Sequence, residues 1–162
     1  MKKTFMLTVL GFLATAAVAQ NIQQFGAITY YPRIDPLTDE NRSKVISDGV
    51  EDVDASLVFI CQDGRLNVYY EPDDYIGSDD DFTVVYRFDK QPMSAPKQWG
   101  GSTDGKAVFL PSNLTPSFVK AAKGAKSIVV RVFDYSDTPI TRTFPLNGLG
   151  SALAKLPCAK GM

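Results

Sequence analysis

The sequence contains no histidine, which limits the chemistry that the chain can perform. Ser-His-Asp and Cys-His mechanisms need an imidazole base, and histidine-based zinc catalysis is excluded as well. Acidic residues remain as candidate catalytic groups, because a glycosidase needs only two well-placed carboxylates. The acids cluster in polar loops, however, rather than standing among apolar residues that would raise a pKa. We expect a protein that is not an enzyme, and a carboxylate-dependent cell-wall hydrolase is the least favoured alternative.

Six acidic side chains lie in the loop 71–81. Calcium prefers oxygen ligands, so Asp79, Asp80 and Asp81 are candidate metal ligands. The loop lacks the D-x-D-x-D-G order with a distal glutamate that is typical of an EF-hand. A calcium- or cell-wall-binding module that uses this loop is the alternative function, and a solvated loop that protects a sheet edge is the structural alternative. The favoured function needs no cofactor.

The two cysteines are Cys61 and Cys158. In an oxidising compartment a lone pair of cysteines usually forms a disulfide, which here would close a loop of about 100 residues. The alternative is two free thiols. Two thiols without histidine make a poor structural zinc site.

Three residues are candidates for binding a partner. Arg87 and Arg131 lie on otherwise apolar strands, where each needs an exposed position or an acidic neighbour. Trp99 is the only tryptophan and lies in a turn-rich crossing between two predicted strands. The structural alternatives are arginines that only support the sheet and a tryptophan that folds back to cover one end of the core.

Residues 1–19 have the pattern of a signal peptide, and we expect residues 20–162 to form a single β-rich domain. Lys2 and Lys3 precede the apolar run 5–18, and Ala17-Val18-Ala19 predicts cleavage before Gln20. No later stretch reaches membrane-spanning length, so we expect no membrane span after cleavage. The predicted location is periplasmic or secreted, and the composition leaves the oligomeric state open.

The charge balance argues against nucleic-acid binding. Cleavage would remove two lysines and leave 15 basic and 18 acidic residues, a net charge of -3. The distribution is uneven, because residues 35–104 hold 16 acids and 6 bases whereas residues 105–162 hold 2 acids and 8 bases. Such asymmetry can steer a partner, or it can reflect two solvated faces of one domain.

The hydrophobic pattern predicts a mainly β fold. Alternation or short apolar runs predict strands at 25–31, 44–53, 56–61, 65–70, 82–88, 106–110, 127–135 and 140–146. The segment 44–53 is polar and favours an edge strand broken at Gly49, while Asp63-Gly64 predicts a tight hairpin turn. Helices are predicted at 115–124 and 149–156. The expected architecture is an antiparallel sandwich or half-barrel of about seven strands with two short helices.

Several sequence blocks, taken in one order, resemble the VasI/TagO family of exported proteins associated with bacterial type VI secretion. The blocks are 35–39 (DPLTD), 57–61 (LVFIC), 63–65 (DGR), 74–76 (DYI), 85–89 (VYRFD), Trp99 with 102–109 (STDGKAVF), 129–132 (VVRV) and 143–149 (TFPLNGL) leading to Cys158. The chain departs from the family pattern at Phe25, where tryptophan is expected, and at Ile60, where arginine is usual. The resemblance implies a non-catalytic accessory protein with a protein partner in the cell envelope, such as a component of a secretion system.

Overall fold

The computed structural model describes residues 21–162, so the predicted signal peptide and its cleavage site lie outside the described residues. These residues form one antiparallel sheet of ten strands with two short helices, which confirms the mainly β prediction. The strands are β1 (Gln23–Phe25), β2 (Ile28–Tyr31), β3 (Lys44–Asp48), β4 (Ser56–Gln62), β5 (Arg65–Glu71), β6 (Asp81–Phe88), β7 (Lys97–Gly101), β8 (Val108–Phe109), β9 (Ser127–Phe133) and β10 (Pro139–Pro145).

The strands are ordered β1-β2-β3-β4-β5-β8-β7-β6-β9-β10 across the sheet. The β4–β5 hairpin turns at Asp63 and Gly64, whose φ angles are 51° and 69°. Two successive positive φ angles are typical of a type I′ turn, which matches the natural twist of a hairpin. The predicted hairpin is therefore confirmed.

The sheet curls so that β3 and β10 approach each other without pairing. The Ser47 hydroxyl donates a hydrogen bond to the Pro145 carbonyl at 2.6 Å, and the Val50 N–H donates to the Thr143 carbonyl at 2.9 Å. The sheet is nevertheless not closed, because β1 and β10 each pair with another strand on one side only. The architecture is closer to the predicted half-barrel than to a sandwich of two separate sheets.

Two helices pack on the core at the inner face of this sheet. They are α1 (Thr115–Gly124) and α2 (Leu149–Leu153), followed by a 3₁₀ turn at Pro157–Ala159. Pro116 stands in the first turn of α1, where the fixed φ of proline suits the start of a helix. The Phe118 ring of α1 meets the Trp99 ring edge-on, with ring centroids 6.0 Å apart. The predicted disulfide between Cys61 and Cys158 is present and ties the 3₁₀ turn to β4.

The structure has two strands more than the eight predicted segments, for two reasons. The first predicted strand divides at Gly26, where φ is +61° and an added Cβ would lie 2.7 Å from the Asn147 carbonyl oxygen. The strand β7, which contains Trp99, was predicted to be an irregular crossing because Gly100 and Gly101 follow the tryptophan. These glycines instead continue the strand, because β7 pairs with β6 through Trp99 and with β8 through Gly100 and Gly101.

The prediction that 44–53 forms an edge strand is wrong, because β3 lies between β2 and β4. One of the polar residues that suggested an exposed edge, Ser47, has its partner inside the fold. Ser47 is fully buried, and its hydroxyl is satisfied by the Pro145 carbonyl. A buried polar side chain with a hydrogen-bond partner is compatible with an interior strand.

Candidate functional site

A groove of about 410 Å³ crosses the outer face of strands β6, β9 and β10. We call it the Arg87–Arg131 groove; it is lined by Val85, Tyr86, Arg87, Gln91, Pro92, Met93, Val129, Arg131 and Thr141. The alternation along β6 explains its position, because Val84 and Phe88 point into the core. Val85 and Arg87 therefore face the opposite side, and the groove combines an apolar floor with guanidinium groups.

The structure brings the two predicted binding arginines together on this face. Val85 pairs with Arg131 and Arg87 pairs with Val129, so the arginines are diagonal neighbours on adjacent strands. Diagonal neighbours of this kind are about 7–8 Å apart at their backbones, within reach of long side chains. The Arg131 Nε donates to the Thr141 hydroxyl at 2.8 Å.

Neither groove arginine has an acidic partner among the described residues. The ion pairs of residues 21–162 involve Arg42, which contacts Asp35 and Glu40, and Arg142. Both Arg87 and Arg131 are exposed. The groove therefore presents two positive charges that no carboxylate of the described chain neutralises.

The loop 89–96 forms one wall of the groove and is fixed at both ends. Tyr86 and Ser94 exchange two hydrogen bonds, in which the Tyr86 N–H donates to the Ser94 hydroxyl at 3.0 Å and the Ser94 N–H donates to the Tyr86 carbonyl at 2.7 Å. One oxygen of Asp89 accepts the N–H groups of Lys126 and Ser127, each at 3.0 Å. The wall is consequently ordered before any ligand arrives, which lowers the entropy lost on binding.

Trp99 does not belong to this groove. Its side chain is fully buried in an aromatic cluster with Tyr86 and Phe118, and its Nε1 has no hydrogen-bond partner. The position matches the structural alternative, in which the tryptophan fills the core. Trp99 supports the sheet from behind β6 rather than contacting a ligand on the outer face.

The predicted calcium ligands Asp79, Asp80 and Asp81 do not gather into one set. Within residues 21–162 the acids that converge are Asp52, Asp54 and Asp73, whose carboxylate oxygens lie within 4.8 Å of one another. The loops before β4 and after β5 bring these residues together, because the β4–β5 hairpin pairs Ser56 with Glu71. The predicted hairpin is the sequence signal that could have found this cluster.

These acids border a second groove of about 450 Å³, lined by Asp54, Glu71, Asp73, Asp74, Tyr75, Asp104 and Lys106. Burial raises the pKa of Glu71, while Lys44 lowers it and Asp104 raises it further. Arg142 spans this region, because its Nη2 contacts Asp52 at 3.2 Å and Asp74 at 2.9 Å. The Tyr70 hydroxyl beneath is buried without a partner, and its pKa is raised by burial.

The side chains of the Arg87–Arg131 groove are suited to binding an anion. Arginine remains charged at any physiological pH and binds carboxylates and phosphates through paired hydrogen bonds. The lining residues thus provide positive charge and apolar contact for a ligand.

Neither a family model nor a curated protein sequence matches the chain. The fold is similar to the crystal structure of invasion associated protein B from Bartonella henselae, with a TM-score of 0.57 and 15% sequence identity. The match covers 84% of this chain and 94% of that chain. At this identity the similarity shows a shared fold, and the resemblance to the VasI/TagO family stays a prediction.

No helix among residues 21–162 has the length and apolar character needed to cross a membrane.

Proposed function

We propose that the protein is an exported, non-catalytic binding protein of the bacterial envelope, and that its Arg87–Arg131 groove holds an anionic partner. The observation that carries the proposal is the pair of guanidinium groups on an apolar floor without acidic neighbours in the described chain. Both guanidinium groups are exposed in the free protein, so a partner that covers them must supply a hydrogen-bonding counter-charge, which a carboxylate or a phosphate does.

Export is supported by the signal-peptide pattern of residues 1–19 and by the disulfide between Cys61 and Cys158. Disulfides persist in oxidising compartments and are rare in the cytosol. The structural neighbour is named for invasion, a property that is in keeping with a protein outside the cytoplasm.

The finer proposal is an accessory role in type VI secretion. It rests on the ordered sequence blocks shared with the VasI/TagO family, from 35–39 to 143–149. The neighbouring genes provide the test: genes for a contractile sheath and a baseplate beside this one would support the role. Their absence would contradict the role in type VI secretion and would leave the proposal of an exported binding protein unaffected.

In vivo crosslinking tests the binding proposal. A photoreactive amino acid is placed at Met93, which is 61% exposed on the groove wall, and at Val53, which is 73% exposed on another loop. We expect an adduct in the envelope fraction from position 93 that disappears when Arg87 and Arg131 are both replaced by glutamine. Any adduct from position 53 should be unaffected. No adduct at position 93, or one that ignores the two substitutions, would contradict the proposal.

The non-catalytic part of the proposal has its own test. Purified protein should leave the turbidity of a peptidoglycan suspension unchanged over several hours, as buffer does. A decrease that is lost when Asp52 and Asp73 are changed to asparagine would instead support the carboxylate hydrolase. These two acids belong to the convergent cluster described above.

A further inference from the structure

We propose that the Arg87–Arg131 groove binds an extended segment of a partner protein in which an acidic residue lies beside an apolar residue. The inference rests on the proposed function and adds the chemistry of the partner. It follows from the charge of the groove, from its floor and from the strand edge on which it opens.

The charge of the groove selects an acidic group. Arg87 and Arg131 are diagonal neighbours, so a carboxylate placed between them can accept hydrogen bonds from both guanidinium groups. Asp89 is the carboxylate of the adjoining loop, and it is occupied by the N–H groups of Lys126 and Ser127. The groove therefore has no acid of its own on that wall to compete with a ligand.

The floor and wall select an apolar group beside the acid. Val85 is 6% exposed and forms the floor together with the half-buried Val129. Met93 is 61% exposed on the wall, above this floor. A flexible methionine adapts its shape to different apolar side chains, so a leucine or valine of the partner would be covered by Met93 and the two valines.

The shape of the groove favours a polypeptide over a small molecule. Small-molecule sites enclose most of their ligand, whereas this groove is open towards solvent and crosses three strands. At about 4.8 Å between strands, the crossing spans about 10 Å, the length of about three extended residues. A chain can enter and leave such a groove at both ends.

The groove also ends at β10, the last strand of the sheet, which pairs with another strand on one side only. The Thr143 N–H and carbonyl point away from β9, since they bond to Glu51 and Val50 respectively. Thr141 lies two residues earlier on the same strand and lines the groove, so its backbone groups point the same way. A polypeptide that leaves the groove across β10 would therefore meet the Thr141 N–H, whereas the Thr141 carbonyl already accepts a hydrogen bond from Arg142 Nη1 at 3.2 Å.

The alternative of an anionic membrane surface is less well supported. Surfaces that bind the membrane interface combine positive charge with several exposed apolar or aromatic side chains. Among the residues that line the groove, Met93 is the large apolar side chain with high exposure. One such side chain provides little insertion into a lipid interface.

Fluorescence anisotropy with a labelled peptide of the order Gly-Ser-Asp-Leu-Glu-Val-Ser-Gly tests the inference on the mature protein. Arg87→Gln and Arg131→Gln should each weaken binding at least about tenfold, since charge-assisted hydrogen bonds are lost. Arg65→Gln is the matched control, because Arg65 is exposed at the start of β5, away from the groove. It should change the affinity less than about twofold, and binding should weaken as salt screens the charges.

Two altered peptides separate the two parts of the recognition. Replacing Asp and Glu by Asn and Gln should abolish the dependence on Arg87 and Arg131, and replacing Leu and Val by Ser should weaken binding to the unchanged protein. Equal binding of the acidic and amide peptides, or no measurable binding of the acidic peptide, would overturn the inference.

Two further measurements identify a different occupant. Binding to phosphatidylglycerol vesicles that requires Arg131, without binding to the peptide, would assign the groove to lipid. Concentration-dependent association that Arg131→Gln removes would assign it to a second copy of this chain. Either result overturns the peptide inference but leaves the proposed anion-binding function standing. That function is itself contradicted when no adduct forms at position 93 in the protein that keeps both arginines.

Discussion

The Glu51 carboxylate links an exposed loop to the strand β10 by accepting hydrogen bonds from Thr143. Hydrogen bonds from the Thr143 hydroxyl and backbone N–H lower the pKa of this carboxyl below its usual 4.5, and Arg142 adds a smaller effect. The backbone bond is 2.9 Å long. A carboxyl whose folded pKa is lowered adds stability above its unfolded pKa, and this stability is lost as the pH falls through the folded pKa.

We expect Glu51→Gln to be less stable than the unchanged protein at pH 7 by about 0.5 kcal/mol, a small value because solvent screens the exposed group. The difference should shrink as the pH falls below 4.5 and through the lowered pKa of Glu51. Urea unfolding at several pH values measures it. Asp79→Asn, which removes an exposed charge from another loop, is the control. A difference that stays constant down to pH 2 would contradict this account.

Trp99 is the largest fully buried side chain of the core. Trp99→Ala should destabilise the fold by about 3–5 kcal/mol, because a large cavity remains between β7 and α1. Trp99→Phe should lose less, since it fills part of the space and removes the unpartnered Nε1. Leu37→Ala is the control, because Leu37 is 91% exposed, and its effect should stay within about 0.5 kcal/mol. A binding role for Trp99 would require the Trp99→Phe variant to fold normally and lose the partner.

At the scale of elements, the two glycines of β7 differ in whether the structure has room for a side chain, because one of them lies close against the loop 77–80. A Cβ on Gly101 would collide with the Asp79 carbonyl oxygen and would lie 2.7 Å from Phe82 Cε2. A Cβ on Gly100 would meet only the Asp80 carbonyl oxygen, at 3.9 Å. The adjacent glycines therefore form a matched pair.

Gly101→Ala should destabilise the protein by about 1–3 kcal/mol, the usual range for overpacking, whereas Gly100→Ala should have little effect. Thermal unfolding of both variants measures the difference. Equal behaviour of the two variants would mean that the loop 77–80 moves aside at little expense, and the close approach described here would then be unimportant for stability.

The sequence predicted the elements whose signals are local. The β4–β5 hairpin has a turn pair, Asp63-Gly64, between two alternating runs, and α1 has a proline in its first turn. The strand β7 has neither signal, because glycine is unfavourable in an isolated strand. It forms because pairing on both sides and burial of Trp99 compensate for that weakness. Such tertiary stabilisation cannot be seen in a window of a few residues.

For the candidate site, individual residues could be predicted from the sequence, but their arrangement in space could not. Arg87 and Arg131 were recognisable as charges on apolar strands, but their closeness depends on the pairing of β6 with β9, which are far apart in sequence. The loop wall at Met93 carries no recognisable motif. The convergence of Asp52, Asp54 and Asp73 likewise depends on the register of the β4–β5 hairpin. The acids at 79–81 were candidates only because three acidic residues are consecutive in the sequence.

At the scale of the whole molecule, the disulfide joins residues separated by 97 positions. In the chain-entropy model, a loop of this size contributes about 4–5 kcal/mol by restricting the unfolded chain. We expect dithiothreitol to lower the free energy of unfolding by about this amount, which shifts the midpoint of urea unfolding to a lower urea concentration. The double variant Cys61→Ser and Cys158→Ser should be less stable in the same degree and should not respond to dithiothreitol. A midpoint that reduction leaves unchanged would show that the native sheet needs no crosslink.

The position of this crosslink also affects the order of events during biosynthesis. All strands from β5 to β10 are translated between Cys61 and Cys158, so the second sulfur arrives after nearly the entire sheet has been made. Every strand can therefore pair before the second sulfur is present, and oxidation can then stabilise an arrangement that pairing has already selected. A chain that ends before Cys158 would contain all ten strands of the sheet but would lack the disulfide that stabilises it.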